Sequence, residues 1–222
     1  MLKRSVHVAL ASLEFLILIG VFLADDAGFI PVSKTPVLLA IAWISLRLRG
    51  LRWSNAGLVC PARWWHAIAL GTAAGIAMEL LALAVTEPLI ARLTGTYPGL
   101  EEFRPLVGNL GLTLLLIAVS WVLAAFGEEM FYRGYLMHRI AQLAGGAGGW
   151  LVALAVATVM FGWAHYAGQD LAGALQEGLS GLLLGVLFLA SGRTLAVPII
   201  AHGVSNTVAF ILIYAGRYPG VG

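Results

Sequence analysis

Apolar positions run along this chain in long blocks, not in the alternating pattern of strands or the narrow stripes of surface helices. At about 20 residues per membrane crossing, the blocks predict helices near 5–24, 36–49, 65–87, 110–143, 149–166, 171–190 and 194–215. Seven is the count, and an eighth follows if the long fourth block is broken. Lys3 and Arg4 ahead of the first block resemble the start of a signal peptide, but Glu14 within it and the lack of a small-residue cleavage site favour a retained span. His7 and Glu14 share one face of that helix and read as a polar contact within the bundle. In the third block Gly71 and Gly75 have the spacing that lets helices approach closely. Glu79, an acid in the same block, reads as a bundle-internal hydrogen bond or as a cavity-lining group.

Polar and glycine-rich breaks separate the blocks. Asp25 to Pro31 turns the chain, and Arg49 to Trp65, with Trp53, Trp64 and Trp65, reads as an interfacial loop. Thr94 to Pro105, with Gly95, Pro98 and Gly99, is the candidate lid or domain break. No internal repeat or low-complexity tract appears, so the chain reads as one membrane domain over 1–222 with a chemical core over 110–215.

Composition narrows the class. The chain is 60% hydrophobic and 11% charged, with a mean hydropathy of +0.92, values that exclude an ordinary soluble domain. The expected fold is an all-α polytopic transmembrane helix bundle in the lipid bilayer of the cell (inner) membrane. Nine basic residues, among them Lys3, Arg4, Arg47, Arg49 and Arg139, fall on the side of the N-terminus and four, Lys34, Arg92, Arg104 and Arg217, on the other. That bias puts the N-terminus in the cytoplasm. There is no continuous basic patch for nucleic acid. The one cysteine, Cys60, excludes an internal disulfide. Oligomeric state leaves no mark on the sequence.

Charge at the end of an apolar block is where chemistry is expected. Between Leu110 and Phe126 the polar side chains are Thr113 and Ser120, with Trp121 beside them, and the block then meets Glu128, Glu129 and Arg133. An ionisable residue costs at least ~2.5 kcal/mol at the bilayer centre, so two adjacent acids call for a reason. Glu129 and Arg133 are four residues apart and can pair. Glu128 is then without a local partner, and spacing alone leaves it open as either a structural group or a proton acceptor.

Two histidines lie in later blocks, His165 four residues after Phe161 and His202 four residues before Asn206. The midpoint of positions 128 and 165 falls in the glycine cluster Gly145–Gly149, so an antiparallel turn there brings both residues to the same depth on neighbouring helices. If that turn projects into the cytoplasm, Glu128, His165 and His202 meet in the cytoplasmic half of the membrane.

Glu128-Glu129-Met130-Phe131-Tyr132-Arg133, Phe161-Gly162-Trp163-Ala164-His165 and His202-Gly203-Val204-Ser205-Asn206, in this order on three apolar blocks, resemble the three motifs of the CAAX protease and bacteriocin-processing family. This family, also called Abi, includes the type II CAAX prenyl endopeptidases. The resemblance covers about 110–215. It implies glutamate-dependent proteolysis of a membrane-associated peptide or protein. Glu128 with His165 would activate water, His202 and Asn206 would stabilise the oxyanion, and Glu129 with Arg133 would support the helix. No cofactor is expected. Zinc held by one Glu and two His is the alternative, though no His-Glu-x-x-His helix is present and Asn206 is a poor zinc ligand. A non-enzymatic bundle, such as an immunity factor or scaffold, is the rival of another class.

Overall fold

The computed structural model describes residues 2–31, 33–146 and 148–221, and the side chains of residues 2–10 lie outside the described part. The expected contact between His7 and Glu14 therefore falls outside it. Every regular element among the described residues is helical. Helix α1 (Leu2–Asp26) is followed by the shorter apolar α2 (Thr35–Leu48). A short 3-10 turn at Trp53–Ala56 leads to α3 (Trp64–Leu81). That helix passes through a wide π-turn at Ala82–Thr86 into α4 (Glu87–Thr94), making one rod of 31 residues. Next come α5 (Leu110–Ser120), π-helical turns at Trp121–Glu128 and Met130–Leu136, and α6 (Met137–Ala144), together a rod of 35 residues. Helices α7 (Gly149–Ala190) and α8 (Ala196–Tyr214) complete the chain.

α7 is one element in name only. Asp170 takes a left-handed backbone (φ 60°, ψ −170°), and beyond it the chain returns antiparallel, with Gly162 against Gly178 and Phe161 against Gly181. Its two limbs match the break expected between the fifth and sixth blocks, at 166–171, so seven helical rods are present among the described residues and the fourth block is unbroken. The third block runs past its expected end at 87 to Thr94. Pro88 lacks an N–H and cannot continue an ordinary ladder, and the π-turn just before it absorbs the defect within the rod.

Four rods, Trp64–Thr94, Leu110–Ala144, Gly149–Ala190 and Ala196–Tyr214, are long and apolar enough to cross a membrane. Their outward faces carry Leu80, Leu114, Leu115, Leu151 and Val159 exposed, surface that only lipid makes favourable. Trp43, Trp64 and Trp65 are exposed as well, and the Arg47 guanidinium lies 5.7 Å from the Trp43 ring, a pattern suited to the headgroup layer. This is an all-α helical membrane bundle.

The interior has two centres. The larger gathers Leu18, Phe22, Leu38, Phe131, Tyr135, Phe161 and Phe188 from α1, α2, the π-turns and α7. α1 is tied to it by Glu14, which accepts hydrogen bonds from Ser45 of α2, from Tyr135, and from Arg139 of α6 at 2.8 Å. The acid read as a packing contact is thus a three-way polar clamp. The smaller centre, Leu106, Ile213, Tyr218 and Val221, lies under the segment 95–109.

α3 packs along α8, and the small residues of the sequence reading make this possible. A methyl at Gly71 would stand 2.7 Å from the Ile200 side chain, and one at Gly75 would collide with the Ala201 carbonyl oxygen. Because that oxygen belongs to the α8 backbone, it cannot step aside as a side chain can. Gly75→Ala is therefore expected to lose about 1–3 kcal/mol, read as a lower apparent melting temperature of the detergent-solubilised protein. An unchanged melting curve would show that α3 and α8 do not pack this closely.

Candidate active site

The site is built where the long fourth rod widens. Normal α-helix gives way to π-turns on both sides of Glu128 and Glu129, over Trp121–Glu128 and Met130–Leu136. Such turns are rare and concentrate at functional positions. Trp121 braces this part of the rod against α8: its ring occupies the space a side chain at Gly203 would need, and its indole N–H donates to Thr207 at 3.0 Å.

Glu129 is wholly buried and Arg133 is 1% exposed. The guanidinium donates from Nη1 to Glu129 Oε1 at 2.5 Å and from Nη2 to the Gly181 carbonyl at 2.7 Å. The pairing read from the spacing is present. His202 was not expected in it, yet its Nδ1 stands 3.0 Å from the same Oε1. Glu129 therefore joins α8 to the fourth rod as well as holding Arg133. Phe161 is the apolar hub, with its ring 5.0 Å from that of His165, 6.0 Å from that of His202 and 4.7 Å from the Arg133 guanidinium.

His165 faces its own Phe161 carbonyl through Nδ1 at 2.8 Å. A carbonyl only accepts, so Nδ1 carries the hydrogen, and in the neutral ring Nε2 is the free acceptor. Asn206 donates its amide to Ser120 Oγ at 2.9 Å, which leaves its second amide hydrogen available. Glu128 is half-buried, and its Oε2 has no hydrogen-bond partner among the described residues. A carboxylate oxygen buried without a partner in such a bundle is a group held ready for something else.

Glu128, His165, His202 and Asn206 all line one cavity of about 400 Å³. The four residues singled out in the sequence thus share one cavity, and the spacing about the glycine turn bears on two of them, Glu128 and His165. Further along, Leu100, Glu102, Phe103 and Tyr218 line the same cavity, and the segment 95–109 bends over it, with the Gly99 N–H bonded to the Gln169 carbonyl at 3.3 Å. The segment read as a lid or domain break is a roof.

The cavity extends along the bundle to Leu100, Glu102 and Phe103 of the segment 95–109 and to Tyr218, away from the Gly145–Gly149 turn. The turn fixed only that Glu128 and His165 share a level. Because α7 reverses at Asp170, five residues beyond His165 and so about 8 Å away, that level is nearer the far face.

Among the described residues no three His, Cys, Asp or Glu are grouped to hold a metal ion. Glu79, Glu87, Glu177 and Tyr218, none of them assigned chemistry from the sequence, also line the cavity. A signal was present for the first two: they are the only acids of the third apolar rod.

The fold and site together define a membrane-embedded helical bundle with buried acids and imidazoles around an interior cavity. Residues 110–208 match the family model described as type II CAAX prenyl endopeptidase Rce1-like, so the chain carries an Rce1-like domain there. The match covers the segment that bears all three motifs and supports a CAAX-type membrane protease as the general class. No curated protein and no solved structure matches the chain.

Proposed function

We propose that the protein is a glutamate-dependent intramembrane endopeptidase that hydrolyses a peptide bond in a membrane-associated peptide or protein. The observation that carries this is Glu128 Oε2, buried without a partner on the wall of a cavity that also contains His165, His202 and Asn206. Glu128 and the free Nε2 of His165 draw a proton from a water, and that water attacks the scissile carbonyl. With Glu129 at its Nδ1, the imidazolium form of His202 donates from Nε2 to the developing oxyanion, and the free amide hydrogen of Asn206 is a second donor. The proton then passes to the leaving amine. Glu129 and Arg133 position His202 and the rod without touching the substrate. No acyl-enzyme is invoked, since among the described residues no Ser, Thr or Cys side chain is hydrogen-bonded to His165 or His202.

With the N-terminus in the cytoplasm, as the basic residues indicate, the 95–109 end of the cavity faces the opposite side of the cell membrane and serves as its mouth. The substrate enters beneath the 95–109 roof.

The test compares peptides in membranes from cells making the wild-type protein and from cells making Glu128→Gln, by mass spectrometry. Fragments present only with wild type support the reading, and identical peptide profiles count against it. In the purified system, cleavage is expected to persist after incubation with a strong chelator. Cleavage lost to the chelator and restored by zinc would transfer these residues to the metal-dependent alternative.

A further inference from the structure

Beyond the groups used for hydrolysis the cavity is lined by acids: Glu79, Glu87, Glu102 and Glu177 line it, and no Lys or Arg does among the described residues. Two of these acids are deep in the wall, Glu79 at 5% and Glu87 at 2% exposure. Each has one satisfied oxygen: Glu79 Oε2 accepts from Ser205 at 2.8 Å and Glu87 Oε1 from Tyr218 at 2.7 Å. Burial, with Glu79 and Glu87 nearby, pushes the Tyr218 phenol up, so it remains a donor. The other oxygens, Glu79 Oε1 and Glu87 Oε2, are buried with no partner among the described residues.

Their alignment is a product of the backbone. Eight residues of ordinary helix would set Glu79 and Glu87 about 80° apart. The π-turn at Ala82–Thr86 between them takes up about one residue, which returns Glu87 to the face of Glu79 two turns nearer the mouth. Thr86 is fixed across the cavity wall by its bond to Gln176 at 2.6 Å. At the inner end, the Ser205 partner of Glu79 is three residues along α8 from His202, about 4.5 Å of rise. Two buried acids, each with one unpartnered oxygen, thus follow one another along the cavity wall from near the hydrolytic group toward the segment 95–109. Buried acids of this kind are stabilised by a cation that arrives with a ligand.

We infer that Glu79 and Glu87 form a cation subsite, and that the substrate carries a Lys or Arg side chain within about three residues of the cleaved bond, on the part of the peptide that trails toward the mouth. The inference rests on the peptidase reading for the word substrate, while the binding of a cationic peptide does not depend on cleavage. An extended peptide advances about 3.3–3.6 Å per residue, so one to three residues plus the reach of a Lys or Arg side chain cover the distance from His202 to either acid.

The full-length protein in detergent would be given a randomised peptide library and the products sequenced by mass spectrometry. Lys and Arg are expected to be enriched about tenfold or more within three residues of the cleavage points, and Glu79→Gln/Glu87→Gln should remove that enrichment. Gln keeps an oxygen to accept from Ser205 and Tyr218, so loss of the charge is separated from loss of the fold, and each single substitution should give an intermediate ratio. Cleavage that depends on Glu128 but shows no basic preference, or a preference that survives the double substitution, overturns the subsite and leaves the peptidase reading intact. If no library peptide is cut, the Glu128→Gln protein is tested for retention of the library before and after lysine acetylation. Retention weakened by acetylation and by the double substitution supports the subsite even with the peptidase reading lost, and equal retention overturns it.

Discussion

Glu128→Gln is expected to lower peptide cleavage by about 10²- to 10⁴-fold while the protein elutes and melts like wild type. Glutamine has nearly the same shape but cannot take a proton, so the change removes the base and little else. The fold should tolerate it, because Glu128 Oε2 has no partner among the described residues to lose. His165→Ala should fall in the same range, since it removes the free Nε2 that shares the proton. His202→Ala should cost about 10²- to 10³-fold through the loss of one oxyanion donor. Cleavage by folded Glu128→Gln within a few-fold of wild type would end the assignment of the base. Normal activity in either histidine variant would do the same for that ring.

The second large effect is on stability. Removing one member of a buried ion pair leaves the other charge unpartnered in a low-dielectric site, a loss of about 3–5 kcal/mol. Arg133→Ala is therefore expected to unfold the bundle or lower its melting temperature sharply, because Glu129 keeps only His202 and the Gly181 carbonyl loses its donor. The double substitution Glu129→Leu/Arg133→Met, apolar at both positions, should recover much of that stability. It should recover no activity, because His202 no longer has a carboxylate at Nδ1 to hold the ring. A thermal melt and a cleavage assay on the same two preparations separate the effects. An active, stable Arg133→Ala protein would show that the pair supports neither the fold nor the site.

The parts of the site legible in the sequence were those that depend on spacing along a helix or about a turn. Glu129 and Arg133 pair because four residues make about one turn. Glu128 and His165 line one cavity, in keeping with their equal distance from a glycine turn. Gly71 and Gly75 mark the α3–α8 seam because small residues are what let two backbones approach. The parts that were missed involve partners far apart in the chain or departures from ordinary helix. Nothing near Glu129 in sequence indicates that His202, 73 residues away, takes the same oxygen. Asn206 pairs with Ser120, and Glu87 with Tyr218, across similar gaps. The π-turns have no compositional signature, yet they set the faces on which Glu128, Glu79 and Glu87 lie.

Composition and hydrophobic blocks alone determined that this chain is a bundle of apolar helices in a membrane, and local spacing determined which acids and imidazoles share a level. Both follow from the need to satisfy every backbone group inside lipid, which leaves helix as the form these blocks can take. Only the tertiary structure decided how far the cavity extends, which imidazole Glu129 holds, and that a second pair of acids lines the same cavity. Those outcomes depend on a chain reversal at Asp170 and on extra residues accommodated in wide turns, and a shift of one residue rotates a side chain by about 100°, too fine a difference for hydrophobic patterning to encode.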